Sequence, residues 1–321
     1  MEFALAEEQA ELAATVRSLL DRRADPRVAT YDTALWQTLC EQIGVAALAV
    51  PEAYDGFGAS LFETSIVLEE LGRSLVPTPL LSSLVTAEAL LAGADEDAKA
   101  RLLPRIAAGE VAAFADGNGP VLDGDLATIV VVATDDGLFE VAPDDATRAW
   151  VPTMDQTIRL ASVTADLGSA TRIGDGAAAR DRARLVGAVG CAALATGLSA
   201  RALEMTVGYT QERVQFGRPI GSFQALKHRM ADLLVLVEMS RSASWAASYA
   251  LASGADDAER LVHVAASYCS EAASAVAGET IQLHGGIAIT WEHDAHLVFK
   301  RAHALGQLFG APHEHRAALA L

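Results

Sequence analysis

The sequence predicts a mainly α-helical protein with one small β-domain set between two helical regions. Apolar residues make up 51% of the chain and aromatics only 6%, and the text is rich in Ala and Leu, as in closely packed helices. Helical staggers run along both ends of the chain. The middle differs: Ala127-Thr128-Ile129-Val130-Val131-Val132-Ala133 is a β-branched run followed by the turn Asp135-Asp136-Gly137. The expected division is a helical domain over 1–110, a reduced β-domain over 111–175 and a long-helix bundle over 176–321.

The N-terminal helices are read from Glu8, Leu12, Val16 and Leu19–Leu20, and from Leu35, Leu39 and Ile43. A Pro- and Gly-punctuated loop, Ala49 to Gly58, follows them. The next helix runs from about Leu61 to Leu75 and is stopped by Pro77 and Pro79. In the middle, Leu138-Phe139-Glu140-Val141 completes a hairpin, and Thr157 to Val163 reads as a further short strand. Beyond Gly176, Leu226, Met230, Leu233, Leu234 and Val237 mark one apolar helical face. A last long helix spans Asp256–Gly285 and ends on the cap-like pair Gly285-Gly286.

The 24 basic and 42 acidic residues give a net charge of −18, which excludes nucleic acid and anionic membrane surfaces as partners. It leaves room for an anionic ligand at a locally basic spot. Cys40, Cys191 and Cys269 are widely spaced in apolar contexts, as buried reduced thiols of a cytoplasmic protein would be. The start, Met1-Glu2-Phe3-Ala4-Leu5-Ala6-Glu7-Glu8, is acidic and unlike a secretory signal. No apolar run reads as long enough to span a bilayer. A soluble, cytoplasmic chain is expected.

The most informative stretch is Tyr209-Thr210-Gln211-Glu212-Arg213-Val214-Gln215-Phe216-Gly217-Arg218-Pro219-Ile220-Gly221-Ser222-Phe223-Gln224, between two long helices. It offers a fixed cation, exposed backbone at Gly217, a rigid turn at Pro219 and an amide at Gln224, a set suited to a phosphate-bearing planar ligand. Taken alone, an ordinary interhelical turn with a helix-terminal Arg is the simpler account.

Two further segments accompany it in order: Pro51–Gly58 and Gln282-Leu283-His284-Gly285-Gly286. Together the three resemble the motifs of the acyl-CoA dehydrogenase family: R-x-x-F-G-x-P-I-x-x-F-Q, an N-terminal P-E-x-x-G-G-x-G loop in which Asp55 replaces one Gly, and a Q-x-x-G-G turn. The resemblance covers roughly 3–91 and 177 to the end. It implies that Arg213, Phe216 and Gln224 reach across a subunit interface to the pyrophosphate and adenosine of a neighbour's FAD. Gln282, Leu283, His284, Gly285 and Gly286 match the family's adenine-side turn. Guanidinium suits a diphosphate as a bidentate donor, and bare glycines let backbone approach a ligand.

The resembled reaction removes two hydrogens from an acyl-CoA thioester, and a positioned carboxylate takes the α-proton. The family most often places that Glu in a Y-E-G-T run. Gln307-Leu308-Phe309-Gly310-Ala311 stands there instead, and the Phe309 ring accepts no proton. The minority position, on the first bundle helix, falls near Gly187 within Arg184 to Ala188, with Asp181 the nearest carboxylate. The middle domain departs too. Ala112 to Pro120 lacks the Glu, Ser and Thr of the family's flavin-cradling run, and the W-I-T/S strand has no counterpart.

The half that holds a chain's own flavin is thus eroded, while the half that reaches a neighbour's is kept. This pattern, the short length and the ending Ile289 to Ala302 resemble the smaller subunits of heteromeric dehydrogenases of actinobacterial steroid catabolism. The resemblance implies a larger catalytic partner in a heterotetramer, shared FAD, a steroid-derived acyl-CoA and electron-transfer flavoprotein as a possible acceptor. Two alternatives stay open: a self-sufficient homomeric dehydrogenase with another base, and a non-catalytic scaffold. Glu292 is expected to cap or to pair. His293, His296 and His303, or His313 and His315, are not expected to hold a metal.

Overall fold

In the computed structural model, residues 4–117 and 119–319 are described; the acidic start at Met1, Glu2 and Phe3 lies outside them. Five helices come first: α1 (Glu7–Arg23), α2 (Thr33–Thr38), α3 (Leu61–Ser74), α4 (Leu80–Gly93) and α5 (Glu96–Ala107). Seven strands follow: β1 (Ala112–Ala115), β2 (Val121–Leu122), β3 (Ile129–Thr134), β4 (Gly137–Val141), β5 (Ala146–Val151), β6 (Leu160–Ala165) and β7 (Thr171–Gly174). The rest is α6 (Gly176–Glu212), the ribbon β8 (Val214–Gln215) and β9 (Arg218–Pro219), α7 (Gln224–Ser253), α8 (Ala258–His284), α9 (Ala295–Leu305) and α10 (Pro312–Ala318).

The chain forms two compact units. One comprises Ala14–Val67 and Val76–Gly187; the other comprises Met1–Ala13, Leu68–Leu75 and Ala188–Leu321. Within the first, β1, β3, β4 and β7 form one sheet in that order, with β1 parallel to β3 and the other pairs antiparallel. A second sheet has the order β2-β6-β5. Val111, Ala113, Val121, Val130 and Val141 fill the core beside these sheets.

Only residues 123–128 connect β2 to β3, and they form one tight turn closed by Leu126 and Ala127 N–H donating to the Asp123 carbonyl. Asp123 takes a left-handed φ of 51°. Its carboxylate is buried and accepts from Ser82 Oγ at 2.8 Å. Burial pushes this carboxyl up to about 7; nearby Asp125 adds to the rise, while Ser82 and Arg159 oppose it. Arg182 on α6 pairs with the buried Glu88 of α4 at 2.6 Å.

In the second unit, α7 and α8 pack along each other, and α8 also meets α9 and α10. Close approach here depends on bare backbone: a Cβ on Gly197 would lie 1.8 Å from the Glu69 carbonyl oxygen. Glu69 is gripped twice from α7, by Arg241 Nε at 3.0 Å and by Trp245 Nε1 at 2.9 Å. Cys191 and Cys269 are unpaired and buried, Cys40 is unpaired and half-buried, and burial pushes all three thiols up to about 12.

Several expectations need correction. Leu233 and Val237 face the core, but Leu234 is half exposed, because α7 carries a second apolar face that includes Val235 and Met239. Thr157 belongs to a turn closed by its bonds to Asp155, so β6 starts only at Leu160. The helix ending at Ile43 widens to a π-helical turn over Leu39–Ile43 before Gly44 caps it with a φ of 78°. One helix, α6, is long and apolar enough by length and composition to cross a membrane, contrary to the sequence reading. However, 83% of its apolar window is buried inside the protein, as for a core helix.

Candidate cofactor-binding site

The second unit gathers the motif residues at one end of its bundle. The last turn of α6 delivers Tyr209 and Thr210, and the Arg213 N–H still donates to the Tyr209 carbonyl at 2.9 Å. The chain then reverses in a two-residue hairpin: Val214 pairs with Pro219 and Gln215 with Arg218. Pro219 occupies a register position that asks for no N–H, while the next pair is closed by Ile220 N–H donating to Arg213 at 2.8 Å.

Both tip residues have positive φ, Phe216 at 53° and Gly217 at 76°, as a type I′ turn requires. Phe at such an angle costs about 1 kcal/mol. Its ring is also 92% exposed. A strained aromatic held in solvent adds no buried surface to the core of this chain.

Arg213 and Gln224 are exposed. The Gln224 amide lies 2.9 Å from His228 Nε2, and Phe223 meets the Phe216 ring edge-on at 6.2 Å. The Gln282 to Gly286 turn divides into two parts. Leu283 and His284 are buried, whereas Gln282, Gly285 and Gly286 are exposed. Gly285 needs its φ of 65° to end α8. Gly286 has neither a positive φ nor a neighbour within 4 Å of an added Cβ, so nothing inside this chain calls for glycine there.

Tyr209 and His284 tie the two segments together. Their rings stack with centroids 4.4 Å apart, and His293 meets both, tilted against His284 at 4.5 Å and edge-on to Tyr209 at 6.4 Å. His284 Nδ1 donates to the Thr280 carbonyl at 2.7 Å, which leaves Nε2 as a buried acceptor. Burial holds this imidazole below the ordinary histidine range; the Thr280 bond opposes that and His293 reinforces it.

Phe309 lies in the turn between α9 and α10 at a φ of 55°, beside Gly310 at 114°. The His315 ring lies against Gly310, with Nε2 2.9 Å from where a Cβ there would stand. Gly187 is buried, and Asp181 is exposed near the start of α6. Glu292 is exposed in the segment before α9. The other histidines are occupied separately: His296 against Trp291, His303 against Phe299 and His315 against His263.

The exposed guanidinium, the amide and the uncrowded glycine backbone fit an adenosine diphosphate group. Two sequence profiles correspond to this layout: the acyl-CoA dehydrogenase N-terminal domain over residues 6–110 and the C-terminal domain over 174–320. The chain belongs to the acyl-CoA dehydrogenase family.

Acyl-CoA dehydrogenase IpdE2 of Mycolicibacterium smegmatis is 43% identical to it over 318 residues, 97% of each chain. Among solved structures, a chain of the Mycobacterium tuberculosis ChsE4-ChsE5 complex superposes with a TM-score of 0.88 at 24% identity, covering 100% and 98% of the two chains. The Tcur3481-Tcur3483 steroid ACAD G363A variant gives 0.86 at 28%, covering 98% and 97%. As a member of this family, the chain has the helix, small-sheet and helix order that its sequence predicts. The motif's residues and their resemblance to the family had indicated Arg213, Phe216 and Gln224. They had not indicated Tyr209 and His293 as supports, since ring stacking across a fold leaves no periodic trace.

Proposed function

We propose that this chain is the smaller subunit of a heteromeric flavin-dependent acyl-CoA dehydrogenase, completing an FAD site on a larger catalytic partner while lacking a base of its own. One contrast carries the reading. The Phe216 hairpin and the Gly285-Gly286 turn are exposed and joined through Tyr209 and His284, and a glycine at 286 meets no steric need of this chain. The turn at Phe309, where the family's proton acceptor belongs, has a phenyl ring in place of a carboxylate.

In this reading Arg213, Phe216 and Gln224 hold the diphosphate and adenosine of the partner's FAD, with Gln282, Gly285 and Gly286 beside them over a floor of Leu283 and His284. FAD, when bound, supplies the hydride acceptor. This chain's residues bind and orient it and exclude water from its adenosine end. The partner supplies the carboxylate that takes the α-proton. Consistent with this, the six-residue turn between β2 and β3 leaves no place for the missing flavin-ring strand.

The division at 110/111 and 175/176 belongs to the same reading, as do a heterotetramer, a cytoplasmic location and electron-transfer flavoprotein as acceptor. A steroid-derived acyl-CoA is the proposed substrate, on the likeness to the steroid ACAD.

Co-expression with each neighbouring dehydrogenase-like gene tests the reading through flavin absorbance and turnover of a steroid-derived acyl-CoA with an artificial acceptor. Yellow colour and turnover are expected only in the co-expressed pair. Robust turnover by the flavin-loaded chain alone would make the homomeric alternative correct, and no flavin under either condition would make it a scaffold.

A further inference from the structure

The hairpin carries a second cation that the motif assignment leaves unused. Antiparallel pairing puts directly opposed residues on one face, and alternate residues of a strand share that face. The pairs Gln215 with Arg218 and Arg213 with Ile220 therefore set Arg213 and Arg218 on the same side of the ribbon. They stand as diagonal neighbours, about 7–8 Å apart at the backbone and within reach of a shared group for long side chains.

Arg218 is also held. Its guanidinium lies 3.9 Å from the centroid of the Phe223 ring, and that ring is braced edge-on by Phe216. Both arginines are exposed, and among the described residues neither makes an ion pair. In a chain of net charge −18, no Asp or Glu occurs from Arg213 through Met230. Two planar forks on one face, with no acid between them, match a ligand that presents two adjacent phosphates.

We propose that Arg218 is a second cofactor-binding residue, which acts with Arg213 so that each guanidinium takes one phosphate of a nucleotide diphosphate. This rests on the reading that the hairpin meets the flavin's diphosphate. Phe223 acts as a positioning residue: it fixes the plane of the Arg218 fork before the ligand arrives, so less side-chain freedom is lost on binding.

The test uses the full chain, isotope-labelled at arginine, titrated at low salt with inorganic pyrophosphate and, separately, inorganic phosphate. The Nε–H signals of Arg213 and Arg218 are expected to move together and saturate, with pyrophosphate favoured about tenfold over phosphate. Arg218→Ala should weaken pyrophosphate binding about tenfold and erase that preference. Arg218→Lys keeps the charge without the fork and should recover only part of it; Phe223→Leu should also weaken binding. Arg260→Ala, remote from the hairpin in sequence, serves as the charge control and should change nothing.

If Arg213→Ala loses binding while Arg218→Ala keeps wild-type affinity and preference, the second-cation assignment is overturned and the cofactor reading stands. Wild-type behaviour by Arg218→Lys overturns the fork's role and leaves only a charge. If neither alanine variant changes the titration, the hairpin is not a diphosphate site and both readings fall.

Discussion

His263 of α8 and His315 of α10 meet nitrogen to nitrogen, Nδ1 to Nδ1 at 2.9 Å. Such a contact is a hydrogen bond only while one of the two nitrogens carries a proton and the other is bare. The His315 ring also lies against Gly310 in the turn before α10, so it bridges that turn and α8.

Burial holds His315 below the ordinary histidine range, and His263 adds to the depression. The unfolded chain therefore binds the proton more readily than the folded one. The contribution of His315 to stability is complete above about pH 6.5 and is lost as pH falls through its lower folded value. Melting temperature should drop below pH 6.5 more steeply in the wild type than in His315→Gln. Parallel profiles for the two proteins would show that His315 does not titrate on unfolding.

Asp123 works in the opposite direction. Its folded pKa of about 7 exceeds the unfolded 3.8, so its ionisation opposes folding above pH 7 and the penalty disappears as pH falls toward 4. Asp123→Asn keeps an acceptor for Ser82 and removes the charge. It should stabilise the protein at pH 8 by about 2–4 kcal/mol and by little at pH 4.5. Urea titrations at the two pH values measure the difference, and an equal effect at both would refute the assignment.

Glu69 is bound by Arg241 and by the Trp245 indole. Glu69→Ala leaves the indole N–H and one edge of Arg241 without their acceptor, although Glu238 still faces Arg241. The expected loss is about 1–3 kcal/mol, read as a lower urea midpoint at unchanged slope.

Arg213→Ala should lower FAD retention in the co-expressed complex, with a loss of about 1.5–3 kcal/mol of cofactor binding and little change in the melting of this chain alone. Flavin occupancy after dialysis, compared with wild type, gives the answer. Unchanged occupancy would remove Arg213 from the site.

The helices were readable because their apolar residues recur at helical spacing, as Val16, Leu19 and Leu20 do on α1. The same spacing misassigned Leu234, since periodicity finds an apolar face without saying what covers it. Strands β1 and β5 left little signal. The first is Ala-rich, and the second is a largely exposed edge with Trp150 turned to solvent. In the loop before α3, Asp55 was visible as a substituted glycine, and its φ of 61° is one that Asp tolerates. The strained φ of Phe216 was not visible, because a hairpin tip with Phe beside Gly looks like any turn until its backbone angles are known.

The burial of the three cysteines has a practical consequence for labelling. At pH 8, a thiol that titrates near 12 is ionised in roughly one molecule in ten thousand, and maleimides and disulfide reagents attack the ionised form. The native protein is therefore a nearly silent background for thiol chemistry. A Phe216→Cys variant would place its one reactive sulfur at the hairpin tip, and a dye attached there would report the arrival of a partner subunit by a change in emission.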